Sequence, residues 1–240
     1  MEKIIKKMSK KKLIALATIM ELNDPNESKV TMTHSYSANN DEERKIPFDK
    51  LPIESMRSEI IKEISTAGGH TIANIFRGGE GVSYREIVLD LANENKIETK
   101  PSTSVAEVEG LIAQKILKNL IEKLSEEEKK ELEKNLIKEA KKFGSDFYKE
   151  GGILAALTTA QLSGFGIYLA ASTALGTVTS ILGISLSFAV YTGMSKVISV
   201  VIGPIGWAAL GLATVYKAGS PNIKKILPAV LFIASERNHK

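Results

Sequence analysis

The chain is predicted to be all α, and three observations predict it. Ser83 with Glu86, Ser104 with Glu107 and Ser125 with Glu128 have the serine-to-glutamate spacing of a capping box, in which each side chain satisfies a backbone N–H at a helix start. Val105, Val108, Leu111, Ile112, Ile116, Leu120 and Leu124 recur at helical spacing and trace one face. No segment alternates apolar and polar residues as a half-buried strand would. The chain is also made of two materials. Up to Glu150 it is thick with Lys and Glu, whereas Gly151–Ser195 carries no charge at all. The expected architecture is a small amphipathic bundle, then an uncharged, Gly/Ala-rich helical hairpin, then a short C-terminal helical segment.

Residues 1–22 hold an N-terminal amphipathic helix, expected near residues 9–22. Lys10–Lys12 and the apolar Leu13–Met20 imitate a signal peptide. However, the apolar run is short, Glu21 and Asp24 follow at once, and Ala15-Leu16-Ala17 lies inside it, where no cleavage site belongs. Residues 23–50 are rich in Asn, Ser, Asp and Glu and have little to bury, so a flexible surface loop is expected. Residues 51–149 form the soluble bundle. Ile53, Met56, Ile60, Ile61 and Ile64 are helically spaced and stop at Gly68-Gly69, a helix terminator. The three capped helices follow. The last carries Leu132, Leu136, Ala140 and Phe143.

Residues 150–240 form the apolar region, either membrane-active or buried. Gly152–Leu175 and Thr177–Ile202 are each long enough for a hydrocarbon core of roughly 30 Å, with Gly176 at the turn. Gly166, Ala170 and Ala174 make a small-residue stripe that lets helices approach closely. Gly183 lies in the second segment, and Lys196 is near enough to its end to reach the interface. Gly203-Pro204 breaks that segment. Ile205–Tyr216 is shorter, and Asn222–Ser235 is the last helix. Many Ser, Thr, Ala and Gly residues dilute the apolarity, so two readings stay open: insertion into a bilayer, or permanent burial in a soluble core.

With 240 residues, 43% hydrophobic, the chain has room for one or two cores. The absence of cysteine excludes disulfides and thiolate metal sites, and fits a reducing compartment. Six lysines lie in residues 1–12, and Lys217, Lys224, Lys225, Arg237 and Lys240 near the other end. Basic ends around an apolar region suit an anionic membrane better than a nucleic-acid groove. The expected location is the cytoplasmic side of the inner membrane, or the cytoplasm with conditional insertion.

No catalytic set emerges. Gly78-Gly79-Glu80-Gly81 lacks the lysine and serine or threonine of a phosphate-binding loop, so it reads as a structural turn. His34, His70 and His239 are scattered, without metal-ligand spacing. Glu126–Glu128 is a first-turn acidic cluster favoured by the helix dipole. Arg77 and Arg85 are candidates to pair with Glu80, Glu86 or an acidic partner. No enzyme activity, cofactor or metal is expected.

The run Gly68-Gly69-His70-Thr71-Ile72-Ala73-Asn74-Ile75-Phe76-Arg77-Gly78, followed by Tyr84-Arg85-Glu86-Ile87 and Leu89-Asp90, resembles the bacterial YaaW family. Gly68, Gly69, Asn74, Arg77, Gly78, Tyr84 and Arg85 carry that resemblance. The central part is also similar to the ubiquinol–cytochrome c chaperone domain, a helical assembly factor for a membrane complex. The resemblance implies a helical fold and no catalytic residue.

Two classes of function follow. One is a non-enzymatic membrane-associated protein whose hairpin inserts into or perturbs a bilayer, as a pore or an anchor; pore-forming colicin domains use a comparable uncharged hairpin. The other is a chaperone or assembly factor. The expected partners are membrane lipid, a membrane-protein client, or a second copy through the hairpin, and no nucleic acid.

Overall fold

The computed structural model describes residues 1–22, 46–68, 81–122, 125–127, 129–130 and 221–238. They form α1 (Glu2–Ile5), α2 (Lys10–Ile19), a 3-10 turn at Phe48–Lys50, α3 (Ile53–Ala67), α4 (Tyr84–Glu94), α5 (Val105–Ile121) and α6 (Pro221–Asn238). The protein is all α, with no strand among the described residues. No helix among them is long and apolar enough to cross a membrane. The hairpin expected at 152–202, with Gly166, Ala170, Ala174, Gly176, Gly183 and Lys196, lies outside the described residues. So do Gly69, Asn74, Arg77, Gly78 and the three histidines.

The core is built around the last helix. From Ile226 to Ser235 every residue of α6 is buried, so this helix is covered on all sides, as only a central one can be. It packs against α1, α2, α3, α4 and α5. Pro221 opens it, a position where the missing N–H costs nothing. The helix continues through Pro228. The sequence groups these residues with the apolar region, yet here they complete the helical bundle.

Two ion pairs fix α2 against α6. Lys12, near the start of α2, meets Glu236 at 2.6 Å, and Glu21, just past its end, meets Lys225 at 2.7 Å. Pairing start with end and end with start makes the two helices antiparallel. Both cations had counted toward free basic ends. Leu13, Leu16 and Ile19 are fully buried, so α2 is a core helix. The loop expected through Lys50 ends sooner, because Phe48 and Leu51 are both in the core.

The capping boxes of α4 and α5 form as the spacing predicts. Glu86 N–H donates to Ser83 Oγ and Ser83 N–H to Glu86 Oε2, and Ser104 and Glu107 do the same. At the third box, Lys129 N–H donates to the Ser125 carbonyl, while Glu128 is outside the described residues. Lys129 also bonds Glu126 and holds that exposed carboxyl below its usual range.

Two helix ends lack the glycine a sequence reader looks for. Leu22 N–H donates to Ala17 O and Ile97 N–H to Ala92 O, the six-to-one bonds of a Schellman ending. Glu21 (φ 58°) and Lys96 (φ 54°) therefore take left-handed backbone. Gly68, expected as a terminator, has φ −74° and is needed for space instead. A Cβ there would collide with the side chain of Ile87 and lie 2.9 Å from Ile64 O. At Gly81 a Cβ would lie 2.6–2.7 Å from Cβ, C and O of Ser65, where Val82 N–H also bonds Ser65 O. Gly81→Ala should cost about 1–3 kcal/mol, because backbone cannot step aside. Gly68→Ala should cost a similar amount, because Cγ1 as well as Cδ1 of the buried Ile87 and the Ile64 carbonyl stand in the way. Urea midpoints of the two variants check both.

Candidate functional site

The connection between α4 and α5 decides what meets at one end of the bundle. Arg85, in the first turn of α4, donates to Pro101 O (2.8 Å) and Thr103 O (3.0 Å). The chain has then run back along α4, and α5 starts beside the α4 N-terminus. Arg85 therefore clamps a loop, its guanidinium donating to the carbonyls of Pro101 and Thr103. The last turn of α6 reaches the same place.

There, Glu109 of α5 is fully buried and completely partnered. Arg237 of α6 forks onto it, Nε to Oε2 at 2.7 Å and Nη2 to Oε1 at 2.8 Å. Tyr84 of α4 donates its hydroxyl to Oε1 at 2.7 Å. A guanidinium fork matches a carboxylate in both charge and geometry. One carboxylate thus ties together three helices, two from before the uncharged stretch and one from after it.

The electrostatics follow from this packing. Burial, then the negative charge of Glu109 and the hydrogen bond to it, push the Tyr84 phenol well above 10, with Arg237 opposing. The bond to Glu109 raises the pKa of Arg237 further. Burial and the Arg237 charge lower the Met1 amino group below its ordinary value, against Glu109 and Glu2. A raised Tyr84 pKa means its neutral form stabilises the fold fully below pH 10, and that contribution is lost as pH rises through the folded value. Tyr84→Phe should therefore cost about 1.5–3 kcal/mol at pH 8, and the gap to wild type should shrink above pH 10. Denaturant midpoints from pH 8 to 12 test it.

Chemically, the cluster is an assembled lock. Both Glu109 oxygens are occupied, and the phenol is held protonated. Among the described residues no group of His, Asp or Glu is arranged to hold a metal ion. Of the residues singled out from the sequence, Tyr84 belongs to the cluster, Arg85 supports it and Gly68 lies on the neighbouring α3–α4 contact. Glu109 was missed, although Val105, Glu109, Ile112 and Ile116 share one helix face. A charge inside an apolar stripe was the signal. Leu111, assigned to that face, is only partly buried, and Ala113 takes its place in the core.

No protein-family model and no solved structure matches the chain. Curated relatives do. A UPF0174 protein of Helicobacter pylori strain 26695 is 32% identical over 182 residues, covering 74% of this chain and 86% of its own. One from strain J99 is 29% identical over 179 residues, covering 74% and 69%, and another from that strain is 31% identical over 182 residues. These findings correct the resemblance to the YaaW family and to the ubiquinol–cytochrome c chaperone domain, neither of which is recovered. Gly68, Tyr84 and Arg85, which helped carry it, serve close helix packing and loop clamping, demands that recur wherever helices meet. By its relatives, the chain belongs to the UPF0174 family.

Proposed function

We propose that this is a non-enzymatic, membrane-associated protein in which a self-contained helical bundle carries an uncharged hairpin that inserts into or perturbs a bilayer. One observation carries the reading: α6, from beyond the uncharged stretch, closes the core begun by α1–α5 from before it. Glu109 and Arg237 are 128 residues apart in sequence and share two hydrogen bonds. From that contact α5 runs away as it leaves the bundle, and α6 runs away back toward its start. Both enter one core, Val108–Ile116 on α5 and Ile226–Ala234 on α6. The chain therefore departs at Ile121 and returns at Pro221 on the same end. A segment that leaves and returns on one side suits two crossings, Gly152–Leu175 and Thr177–Ile202 with Gly176 between.

The test replaces residues 123–220 by a Gly/Ser linker of about twenty residues, whose reach is roughly 25 Å. The shortened chain should remain folded, with a denaturation midpoint close to wild type. The full chain should resist carbonate extraction from the cytoplasmic membrane, and the shortened one should not associate at all. Release of a trapped dye from liposomes by the full chain would mark a pore, and its absence an anchor. A full chain that stays soluble with liposomes, together with unfolding of the shortened one, would defeat the reading.

A further inference from the structure

Of the basic residues near the two ends, only some remain available. Lys12, Lys225 and Arg237 are committed to Glu236, Glu21 and Glu109. Lys3, Lys6, Lys7, Lys10 and Lys11 are all exposed, and none pairs with a described acidic side chain. All five fall within nine consecutive positions, 3–11, across α1 and the start of α2. The backbone beneath them is fixed, because Ile5 is 0% and Met8 3% exposed. Five lysines therefore stand on a rigid corner, with Glu2 the one acid within residues 1–12.

That placement opposes local stability. Lys10 and Lys11 sit in the first turn of α2, where the helix dipole favours acids, and no acid is there. Ser9 at the N-cap makes no side-chain capping bond. Lys12 is compensated by Glu236, and the other two have no such partner among the described residues. A local conflict left without compensation among the described residues points to function.

We propose that this corner is an electrostatic docking surface for anionic lipid headgroups. Its composition favours lipid over nucleic acid. Residues 1–22 contain no arginine to fork onto a base or phosphate and no aromatic ring to stack on a base. Lysines as point charges suit a diffuse negative surface instead. The proposal rests on the membrane reading above and names the face of the bundle that meets the bilayer. Reach is no obstacle: residues 203–220 would span roughly 27 Å even as a helix, the full length of α6.

The experiment is flotation of the full chain with vesicles of phosphatidylcholine alone or with about one third phosphatidylglycerol. It compares wild type with a variant in which Lys3, Lys6, Lys7, Lys10 and Lys11 are all Gln, and with one in which all are Arg. Wild type should prefer the anionic vesicles at least tenfold, the Gln variant should lose that preference, and the Arg variant should keep it. The Gln variant should melt no lower than wild type, since it loses unfavourable first-turn charge. Equal binding of anionic vesicles by wild type and the Gln variant would overturn the proposal while leaving the hairpin reading intact. Lysine-dependent binding to an oligonucleotide without preference for anionic vesicles would also overturn it. Anionic preference with full release by carbonate would support the corner and sink the hairpin.

Discussion

A chain shortened to residues 1–149 should fail to fold. This cut looks natural from the sequence, since it removes the uncharged region and keeps the charged helices. It also removes α6, and with it Ile226, Leu227, Val230, Leu231, Phe232 and Ile233, all buried at the centre. Burying six such side chains contributes roughly 9–18 kcal/mol at about 1.5–3 kcal/mol each. The net stability of a domain is only about 5–15 kcal/mol, so nothing remains to hold the rest. Losing α6 would also strip partners from Glu109, Lys12 and Glu21 at once. Circular dichroism should show a broad, non-cooperative melt for this chain, and the lone substitution Phe232→Ala should already cost about 3–5 kcal/mol. A cooperative transition in residues 1–149 would show that α6 is dispensable.

Arg237→Met should destabilise the protein by about 3 kcal/mol. The Glu109 side chain is 0% exposed and that of Arg237 26%, so removing the guanidinium leaves a carboxylate in the core with only the Tyr84 hydroxyl. Breaking a buried pair from one side costs about 3–5 kcal/mol, and the lower figure suits a pair whose cation is partly solvated. Glu109→Leu combined with Arg237→Met removes the stranded charge, so the double variant should recover most of the loss, short of the bond from Tyr84. Urea denaturation of the two single variants and the double one gives the coupling directly. A double variant as unstable as the sum of the single ones would mean that the two residues act independently.

These two results turn on features of different visibility. The helices of the bundle were legible because local chemistry specifies them: Ser83 and Ser104 open their helices through bonds three residues long, and Ile60 and Ile64 share a face by period alone. Endings were less legible. Glu21 and Lys96 adopt left-handed backbone that sequence readers assign to glycine, because tertiary packing of Leu22 and Ile97 against the core holds them there. Gly68 and Gly81 were noticed but for a different reason. Their constraint is the nearness of Ile87 and Ser65, which no local rule contains.

By itself, the sequence determined the all-α class, the starts of α4 and α5, and the sharp divide between charged and uncharged chain, since each depends on neighbours within a few residues or on composition. Only the tertiary structure decided that α6 crosses that divide to become the centre of the bundle. Only it showed that Lys12, Lys225 and Arg237 are tied inward while five other lysines face out. A charge has no fixed meaning along the chain. Whether it solvates a surface, locks a core or seeks a partner depends on which acid, if any, folding brings within about 3 Å.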